Sequence, residues 1–219
     1  RALCCGRPLY DWGYLGQAKH LLKTILTDLR DEIRAGTPVV GLEPSCVSVF
    51  RDEALNLLHG DNDARRLAAQ TKTLGEFLAT RDGYRPPHLD GRALVQGHCH
   101  DKSVLGFESE LAVLRATGLE VDAPDSGCCG MAGAFGFERG DHYRVATAVG
   151  ERALLPAVRS ADPATFIVAG GFSCREQIEQ GTDRSVLHPA ELLALAIDRQ
   201  DDARTAAADH RRTPEGATS

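Results

Sequence analysis

Apolar residues repeat with two different periods along the chain, and segments of the two kinds alternate. Spacings of three or four positions predict helices, over residues 15–34, 63–79, 102–117, 141–160, 173–180 and 189–198. Short runs of apolar, often β-branched residues predict strands, at residues 38–42, 92–96, 119–122 and 165–169. Strands separated by helices predict an α/β fold with mainly parallel sheets.

One cysteine-containing pattern occurs twice. Cys4-Cys5-Gly6 matches Cys128-Cys129-Gly130 at an offset of 124 residues, and Ser45-Cys46 matches Ser173-Cys174 at an offset of 128 residues. In both copies a helix and a strand separate the Cys-Cys-Gly element from the Ser-Cys pair, which precedes the next predicted helix. Two features that recur in the same order with near-equal gaps predict a duplicated unit, with two similar βα-repeat halves related by an approximate two-fold axis.

The repeat divides the chain near its proline-containing stretch, residues 85–91. We predict a first repeat over residues 1–85 and a second, complete repeat over residues 91–198. Cys99 ends the first strand of the second repeat, and its counterpart would fall before the first residue. We therefore expect the first repeat to lack one strand and one cysteine. Residues 199–219 have no apolar period and are predicted to form a disordered tail.

Charge and cysteine content narrow the class of protein. The 25 basic and 31 acidic residues give a net charge of −6, which argues against nucleic-acid binding. No apolar run reaches the roughly 18–20 residues of a membrane-spanning helix, and no signal peptide is expected. These features predict a cytoplasmic protein. Seven cysteines without a secretory signal favour metal or redox chemistry over a disulfide scaffold.

The cysteines fall where an open parallel sheet binds its ligands. Those of the second half lie at predicted strand ends or helix starts, at Cys99, Cys128, Cys129 and Cys174. Four converging thiolates suit a [4Fe–4S] cluster or a tetrahedral Zn²⁺ ion. The first half offers three candidate metal ligands, Cys4, Cys5 and Cys46.

Other interpretations of these residues explain less. The cysteines could be small buried apolar residues, or Cys99 could be a catalytic thiol activated by His98, His100 or Asp101, but neither accounts for the repetition. Alternation along a strand predicts that His98 and His100 point away from Cys99 and support the site without binding metal. The glycine-rich segment 127–136 lacks the spacing of phosphate or dinucleotide loops. No residue is predicted to be catalytic.

Residues 1 to about 198 resemble a known family, and the motifs of the second half carry the resemblance. Cys128-Cys129-Gly130, preceded by Cys99 and followed by Cys174, resembles the cysteine-rich CCG domain found in heterodisulfide reductase and in the iron–sulfur subunits of glycolate and lactate oxidases. Residues 126–138 and 171–178 are more similar still to the C-terminal part of fused FAD-linked, iron–sulfur dehydrogenases of the D-2-hydroxyglutarate or D-lactate type.

The sequence departs from this family at one point in each half. Many members end each repeat with Cys-x-x-Cys, and here the first of those positions is Glu43 in one half and Gly171 in the other. Four cysteines therefore remain in the second half. The resemblance then implies an ordinary [4Fe–4S] cluster, or zinc in one half, in preference to a non-cubane cluster.

The resemblance implies an electron-transfer module of an FAD-linked 2-hydroxyacid dehydrogenase. The FAD would lie on an upstream domain or partner subunit, and electrons would pass from flavin through this chain to a quinone or another carrier. The chain alone is not expected to oxidise a hydroxyacid. It would be cytoplasmic, with peripheral placement at the inner membrane face as an alternative. A zinc-stabilised interaction domain and a thiol–disulfide reductase module remain alternative functions.

Overall fold

A computed structural model describes residues 2–212, which form helices and short parallel strands. The strands are Val39–Gly41 (β1), Thr71–Thr73 (β2), Arg92–Gln96 (β3), Glu120–Asp122 (β4) and Phe166–Ala169 (β5). The α-helices are Arg7–Asp11 (α1), Leu15–Asp28 (α2), Arg30–Ala35 (α3), Pro44–Ser48 (α4), Ala54–Leu57 (α5), Asn62–Gln70 (α6), Leu74–Ala79 (α7), Glu108–Arg115 (α8), Asp141–Gly150 (α9), Leu154–Ser160 (α10), Phe172–Gly181 (α11) and Pro189–Arg212 (α12). The predicted α/β class is confirmed.

The strands form two parallel sheets. In the first, β1 pairs with β2, with Val39 opposite Thr71. In the second, β3 lies between β4 and β5 and runs parallel to both. Because parallel strands end at the same edge, the loops that follow β3, β4 and β5 meet at one side of the second sheet. Those loops carry the cysteines of the second half.

Helices cover both faces of the second sheet. Along β3, Ala93 and Val95 pack on one side against residues that include Leu114 and Leu192. Leu94 faces the other side, among residues that include Ile167. Strands buried on both faces read as apolar runs without alternation, which is why β3 and β5 were predictable from the sequence. A separate core fills the first half, around Leu22, Ile25, Ile33, Leu58 and Leu67.

The prediction of one helix over residues 63–79 is wrong, because β2 interrupts it. Thr71 to Thr73 pair with β1 in a parallel ladder, so the backbone there is extended. Thr73 then begins α7: its side chain accepts a hydrogen bond from the backbone of Glu76, and the Glu76 carboxylate accepts one from the Thr73 amide, as in a capping box.

Three other predicted helices are broken where the chain turns. The first breaks at Leu29, between α2 and α3. The segment 102–117 contains a π-helical turn over residues 101–105 and then Gly106, whose φ of +96° ends the turn before α8 begins. The segment 141–160 breaks between α9 and α10. Pro156 falls in the first turn of α10, where its missing N–H leaves no intrahelical bond unmade.

The predicted disordered tail is wrong over residues 199–212, since α12 continues to Arg212. The segment lacks an apolar period because its described side chains beyond residue 200 are exposed, but it is rich in alanine, and Asp201 and Arg204 form an ion pair one turn apart. Residues 213–219 lie outside the described residues. Neither α12 nor any other helix within residues 2–212 has the length and apolar character needed to cross a bilayer.

Candidate metal centre

The structure brings the four cysteines of the second half together. Cys99 lies three residues after β3, Cys128 and Cys129 lie in the loop after β4, and Cys174 lies in the first turn of α11. The thiol of Cys128 lies close enough to those of Cys99 and Cys129 for them to shift its pKa, and Cys174 likewise shifts the pKa of Cys129. Cys129 and Cys174 are buried, whereas Cys99 and Cys128 are half-buried. Whether these thiols bind a metal stays a prediction.

Gly130 shapes the loop that carries the cysteine pair. It has a φ of +101°, and its amide donates a hydrogen bond to the Sγ of Cys128 over 3.3 Å. A Cβ at this position would lie only 2.1 Å from the carbonyl oxygen of Ala146 in α9. Only glycine permits both this backbone conformation and this approach of the loop to the helix.

The thiols of the second half differ in how readily they ionise. Contacts from Cys129 and then Cys99, together with the Gly130 amide, lower the pKa of Cys128 to about 2. The same contacts raise the pKa of Cys99 and of Cys129, and burial adds to both shifts. A thiolate at Cys128 is therefore favoured over one at Cys99 or Cys129.

The three cysteines of the first half form a separate group. The Sγ atoms of Cys5 and Cys46 lie 2.9 Å apart, and the amide of Gly6 donates to the Sγ of Cys4 over 3.5 Å. The contact with Cys46 lowers the pKa of Cys5 to about 7, while the pKa of Cys46 rises. The Gly6–Cys4 contact has the same form as the Gly130–Cys128 contact in the second half.

A cavity of about 290 Å³ lies between the two halves beside these groups. The second half lines it with Cys99, Cys128 and Cys129, and the first half with Arg7, Asp11 and Ser45. One side of the cavity is therefore lined by thiols at the carboxyl edge of the second sheet, and the other side by charged side chains of α1.

The prediction that His98 and His100 point away from Cys99 is wrong. The chain leaves β3 at Gln96 and is already helical at Cys99, so strand alternation does not apply. Both imidazoles line the same cavity as Cys99, and one donor atom from each of the three residues falls within 4.8 Å of the others. No other such group of three potential metal ligands occurs within residues 2–212.

The two imidazoles differ in their hydrogen bonds. The rings stack with centroids 5.0 Å apart, and the Nδ1 atom of His98 accepts a bond from the His100 amide over 3.2 Å. Burial lowers the pKa of His98 to about 4, so this imidazole is neutral near pH 7. The Nδ1 atom of His100 is buried without a hydrogen-bond partner among the described residues.

The two departures from Cys-x-x-Cys have structural causes. A Cβ at position 171 would lie 2.2 Å from the Cδ2 atom of His98, so only Gly171 lets that ring pack there. Glu43 caps α4 by accepting bonds from the amide and hydroxyl of Ser45, over 3.3 and 2.8 Å. Its other oxygen accepts a bond from the amide of Phe172 in the other half, over 2.8 Å.

Sequence reasoning missed Arg7, whose guanidinium forms one wall of the cavity. Arg7 is 9% exposed and donates to Glu53 over 2.5 Å, to Ser48 over 2.7 Å and to Asp11 over 3.1 Å. Burial opposes its charge, but these carboxylates outweigh burial and keep its pKa above the ordinary value. The only signal in the sequence is an arginine two positions after a cysteine pair. The bonds to Glu53 and Ser48 join positions more than 40 apart.

Comparison with known proteins identifies the family. The cysteine-rich domain named CCG matches residues 107–179, which include Cys128, Cys129 and Cys174. Lactate utilization protein A of Geobacillus kaustophilus is 31% identical over 204 residues, covering 87% of this chain and 82% of that protein. The chain belongs to the CCG family. Cys99 lies before the matched segment, so its place in the predicted ligand group rests on the structure and not on the family match.

Other relatives of this CCG protein are parts of dehydrogenases. One subunit of the anaerobic glycerol-3-phosphate dehydrogenase of Escherichia coli is 30% identical over 200 residues, covering 89% of this chain and 49% of the relative. D-2-hydroxyglutarate dehydrogenase of Pseudomonas putida is 26% identical over 190 residues, covering 86% of this chain and 18% of the relative. The chain thus spans about half of the first protein and a smaller part of the second. Regions similar to this chain therefore occur in proteins named as dehydrogenases or dehydrogenase subunits.

Proposed function

We propose that this chain is the iron–sulfur electron-transfer module of an FAD-linked 2-hydroxyacid dehydrogenase. It receives electrons from a flavin held by another domain or subunit and passes them to a quinone or another carrier. The observation that carries this proposal is the convergence of Cys99, Cys128, Cys129 and Cys174 at the edge of the second sheet. The similarity to parts of dehydrogenases supports the redox class.

The residues present fit a [4Fe–4S] cluster. Four thiols from one sheet edge supply the required ligand number, and the cavity beside them gives room for a group larger than one ion. Such a cluster supplies one-electron oxidation and reduction when bound. Cys99, Cys128, Cys129 and Cys174 would hold it. In the first half, Cys4, Cys5 and Cys46 would need a fourth ligand from outside the chain.

Zinc fits the second-half group less well. Four sulfurs around Zn²⁺ at about 2.3 Å would lie about 3.8 Å from one another. Within residues 2–212, the side chains gathered to within 4.8 Å are those of His98, Cys99 and His100, and the four thiols do not form such a set. The thiols are thus spread more widely than a zinc tetrahedron requires.

The surrounding residues would control the charge and hydration of the site. The Gly130 amide stabilises negative charge on the Cys128 sulfur. His98 stays neutral and adds no positive charge, and burial of Cys129 and Cys174 keeps water from half of the sulfurs. Reduction potential depends on such hydrogen bonds and on exposure.

Anaerobic purification of the 219-residue chain tests the proposal directly. We expect a brown protein with bound iron and sulfide and a broad absorption shoulder near about 400 nm, as [4Fe–4S] proteins show. Cys174→Ser should remove the cluster of the second half, whereas Ser173→Ala, at the adjacent position on the cavity wall, should retain it. A colourless protein with stoichiometric zinc would instead establish the interaction-domain alternative.

A second experiment in a full-length dehydrogenase separates electron transfer from a folding role. In Cys129→Ser, the hydroxyacid should still reduce the flavin at close to the normal rate, because the flavin lies elsewhere. Reoxidation by the natural acceptor should collapse, because the route beyond the flavin is interrupted. Normal turnover with that acceptor in a folded, cluster-free variant would refute the proposal.

One observation favours a thiol–disulfide function for the first half. The Sγ atoms of Cys5 and Cys46 are 2.9 Å apart, and the lowered pKa of Cys5 favours its thiolate near pH 7. Disulfide formation between them would release two electrons and two protons to an acceptor disulfide. Mass spectrometry after equilibration in glutathione buffers tests this candidate. Failure of the Cys5–Cys46 disulfide to form in these buffers would exclude a thiol–disulfide function for the first half.

A further inference from the structure

Glu43 is placed between the two cysteine groups. It directly precedes α4, which carries Cys46, and one of its oxygens accepts hydrogen bonds from the amide and hydroxyl of Ser45. The other oxygen accepts a bond from the amide of Phe172, the first residue of α11, which carries Cys174. One carboxylate thus contacts the starts of both cysteine-bearing helices, 129 positions apart in sequence.

This carboxylate links the starts of two helices and also places negative charge near both cysteine groups. A carboxylate bound to a helix start is stabilised by the positive end of that helix, and Glu43 meets two such ends. Its negative charge also reaches the thiol of Cys46 and the imidazoles of His98 and His100. A single side chain therefore links the two halves and adds negative charge to both sites.

We propose that Glu43 is a positioning residue that fastens the helix of Cys46 to the helix of Cys174 and so fixes the separation of the two cysteine groups. In the proposed electron-transfer function, on which only this second part rests, its charge also lowers the reduction potential of the second-half cluster.

A neighbouring contact also joins the halves. The Nε2 atom of His188 contacts the carbonyl oxygen of Leu42 over 2.8 Å, one residue before Glu43. Two adjacent residues of the loop after β1, Leu42 and Glu43, are thus bonded to the second half. Loss of Glu43 alone should loosen this junction without separating the halves.

Amide hydrogen exchange measured by NMR tests the link independently of any metal. In Glu43→Ala, the amides of Phe172 and Ser45 should both exchange about tenfold faster or more, because each loses a charge-assisted hydrogen bond. The matched control is Asp61→Asn, which alters another capping carboxylate, bound to the amides of Asp63 and Ala64 in α6. This control should leave Phe172 unchanged.

The reduction potential tests the effect of charge. Glu43→Gln retains the size of the side chain but removes its charge, so the potential of the second-half cluster should become more positive, with iron content unchanged. Asp61→Asn should not shift it. Unchanged exchange at Phe172 in both Glu43 variants would overturn the link, and an unchanged potential in Glu43→Gln would overturn the electrostatic effect. A chain that binds no iron would refute the proposed function, while the exchange experiment would still decide the link.

Discussion

At the scale of single residues, two neighbouring thiols with similar burial have pKa values shifted in opposite directions. Cys99 and Cys128 are both half-buried and contact each other, yet the pKa of Cys128 falls to about 2 and that of Cys99 rises. The difference arises because the neighbouring thiols of Cys129 and Cys99 and the Gly130 amide all favour the thiolate of Cys128. Position within the group, and not exposure, decides which sulfur carries the charge.

Thiol alkylation of the metal-free chain tests this difference. At pH 6, iodoacetamide should modify Cys128 at least about tenfold faster than Cys99, because the thiolate is the reactive form. Peptide mass spectrometry over time gives both rates. In urea the two rates should converge, since both thiols regain ordinary pKa values. Equal rates in the folded chain at pH 6 would contradict the assignment.

Asp101 provides a second prediction at this scale. This carboxyl is buried, and burial raises its pKa from 3.8 to about 7. The folded state therefore holds a proton that the unfolded state releases, so the stabilisation is present below about pH 4 and is lost as the pH rises through about 7. Asp101→Asn carries no charge and should raise the free energy of unfolding of the metal-free chain by about 4 kcal/mol at pH 8.

Urea unfolding at pH 4 and pH 8 measures this effect. The gain at pH 4 should be close to zero, because Asp101 is then protonated in the folded chain. Asp122→Asn, at an exposed position of β4, is the control and should change stability little at either pH. A gain of equal size at both pH values would show that ionisation of Asp101 is not its cause.

At the scale of elements, the cysteine loop depends on its close approach to α9. The two glycines that flank the Cys128–Cys129 pair both have positive φ, +64° at Gly127 and +101° at Gly130. They differ in space, because a Cβ on Gly127 meets nothing within 4 Å, whereas one on Gly130 would overlap the Ala146 carbonyl. Substitutions at the two glycines therefore separate the cost of the backbone conformation from the cost of steric overlap.

Alanine substitution at each glycine measures the two contributions. Gly127→Ala should cost about 1 kcal/mol from its left-handed conformation alone. Gly130→Ala should cost about 3 kcal/mol or more, because the loop or α9 must also move. Urea unfolding gives both values. Similar costs for the two variants would show that the loop can withdraw from α9 freely.

The sequence allows prediction of the elements whose pattern is local. Buried strands such as β3 were identifiable from apolar runs, and the repeated cysteines indicated which thiols would meet. The strand β2 was missed because Thr71 to Thr73 interrupt an apparent helical period, although the Thr73–Glu76 spacing of a capping box was visible. The roles of Arg7 and Glu43 could not be predicted, because their partners are 46 and 129 positions away.

At the scale of the whole molecule, the two halves have separate sheets and separate cores but are packed together. A Cβ on Gly75 in α7 would lie 2.6 Å from the Cα of Glu110 in α8, so these helices meet at backbone distance. Glu43 and His188 add polar contacts between the halves. The duplication remains a prediction, and superposition of Cys46 on Cys174 in an experimental structure would test it.

Removal of the metal should weaken the molecule without unfolding it. In the proposed function, four ligands between residues 99 and 174 would cross-link the second half, so loss of the metal should lower the urea midpoint of unfolding. The cores on both faces of the second sheet bury enough apolar surface to hold the fold. Far-ultraviolet circular dichroism after oxidation and chelation should therefore change little. Complete loss of the helical signal would indicate a structural metal instead.

The contact between His98 and Gly171 also restricts how this family can evolve. A Cβ at position 171 would collide with the imidazole, so we expect a mutation to cysteine there to be harmful unless residue 98 has already become smaller. The two positions should therefore covary: lineages with a histidine like His98 should retain glycine, and lineages with a cysteine at position 171 should have lost that imidazole. Acquisition of a fifth sulfur in the second half would then require two substitutions in a fixed order.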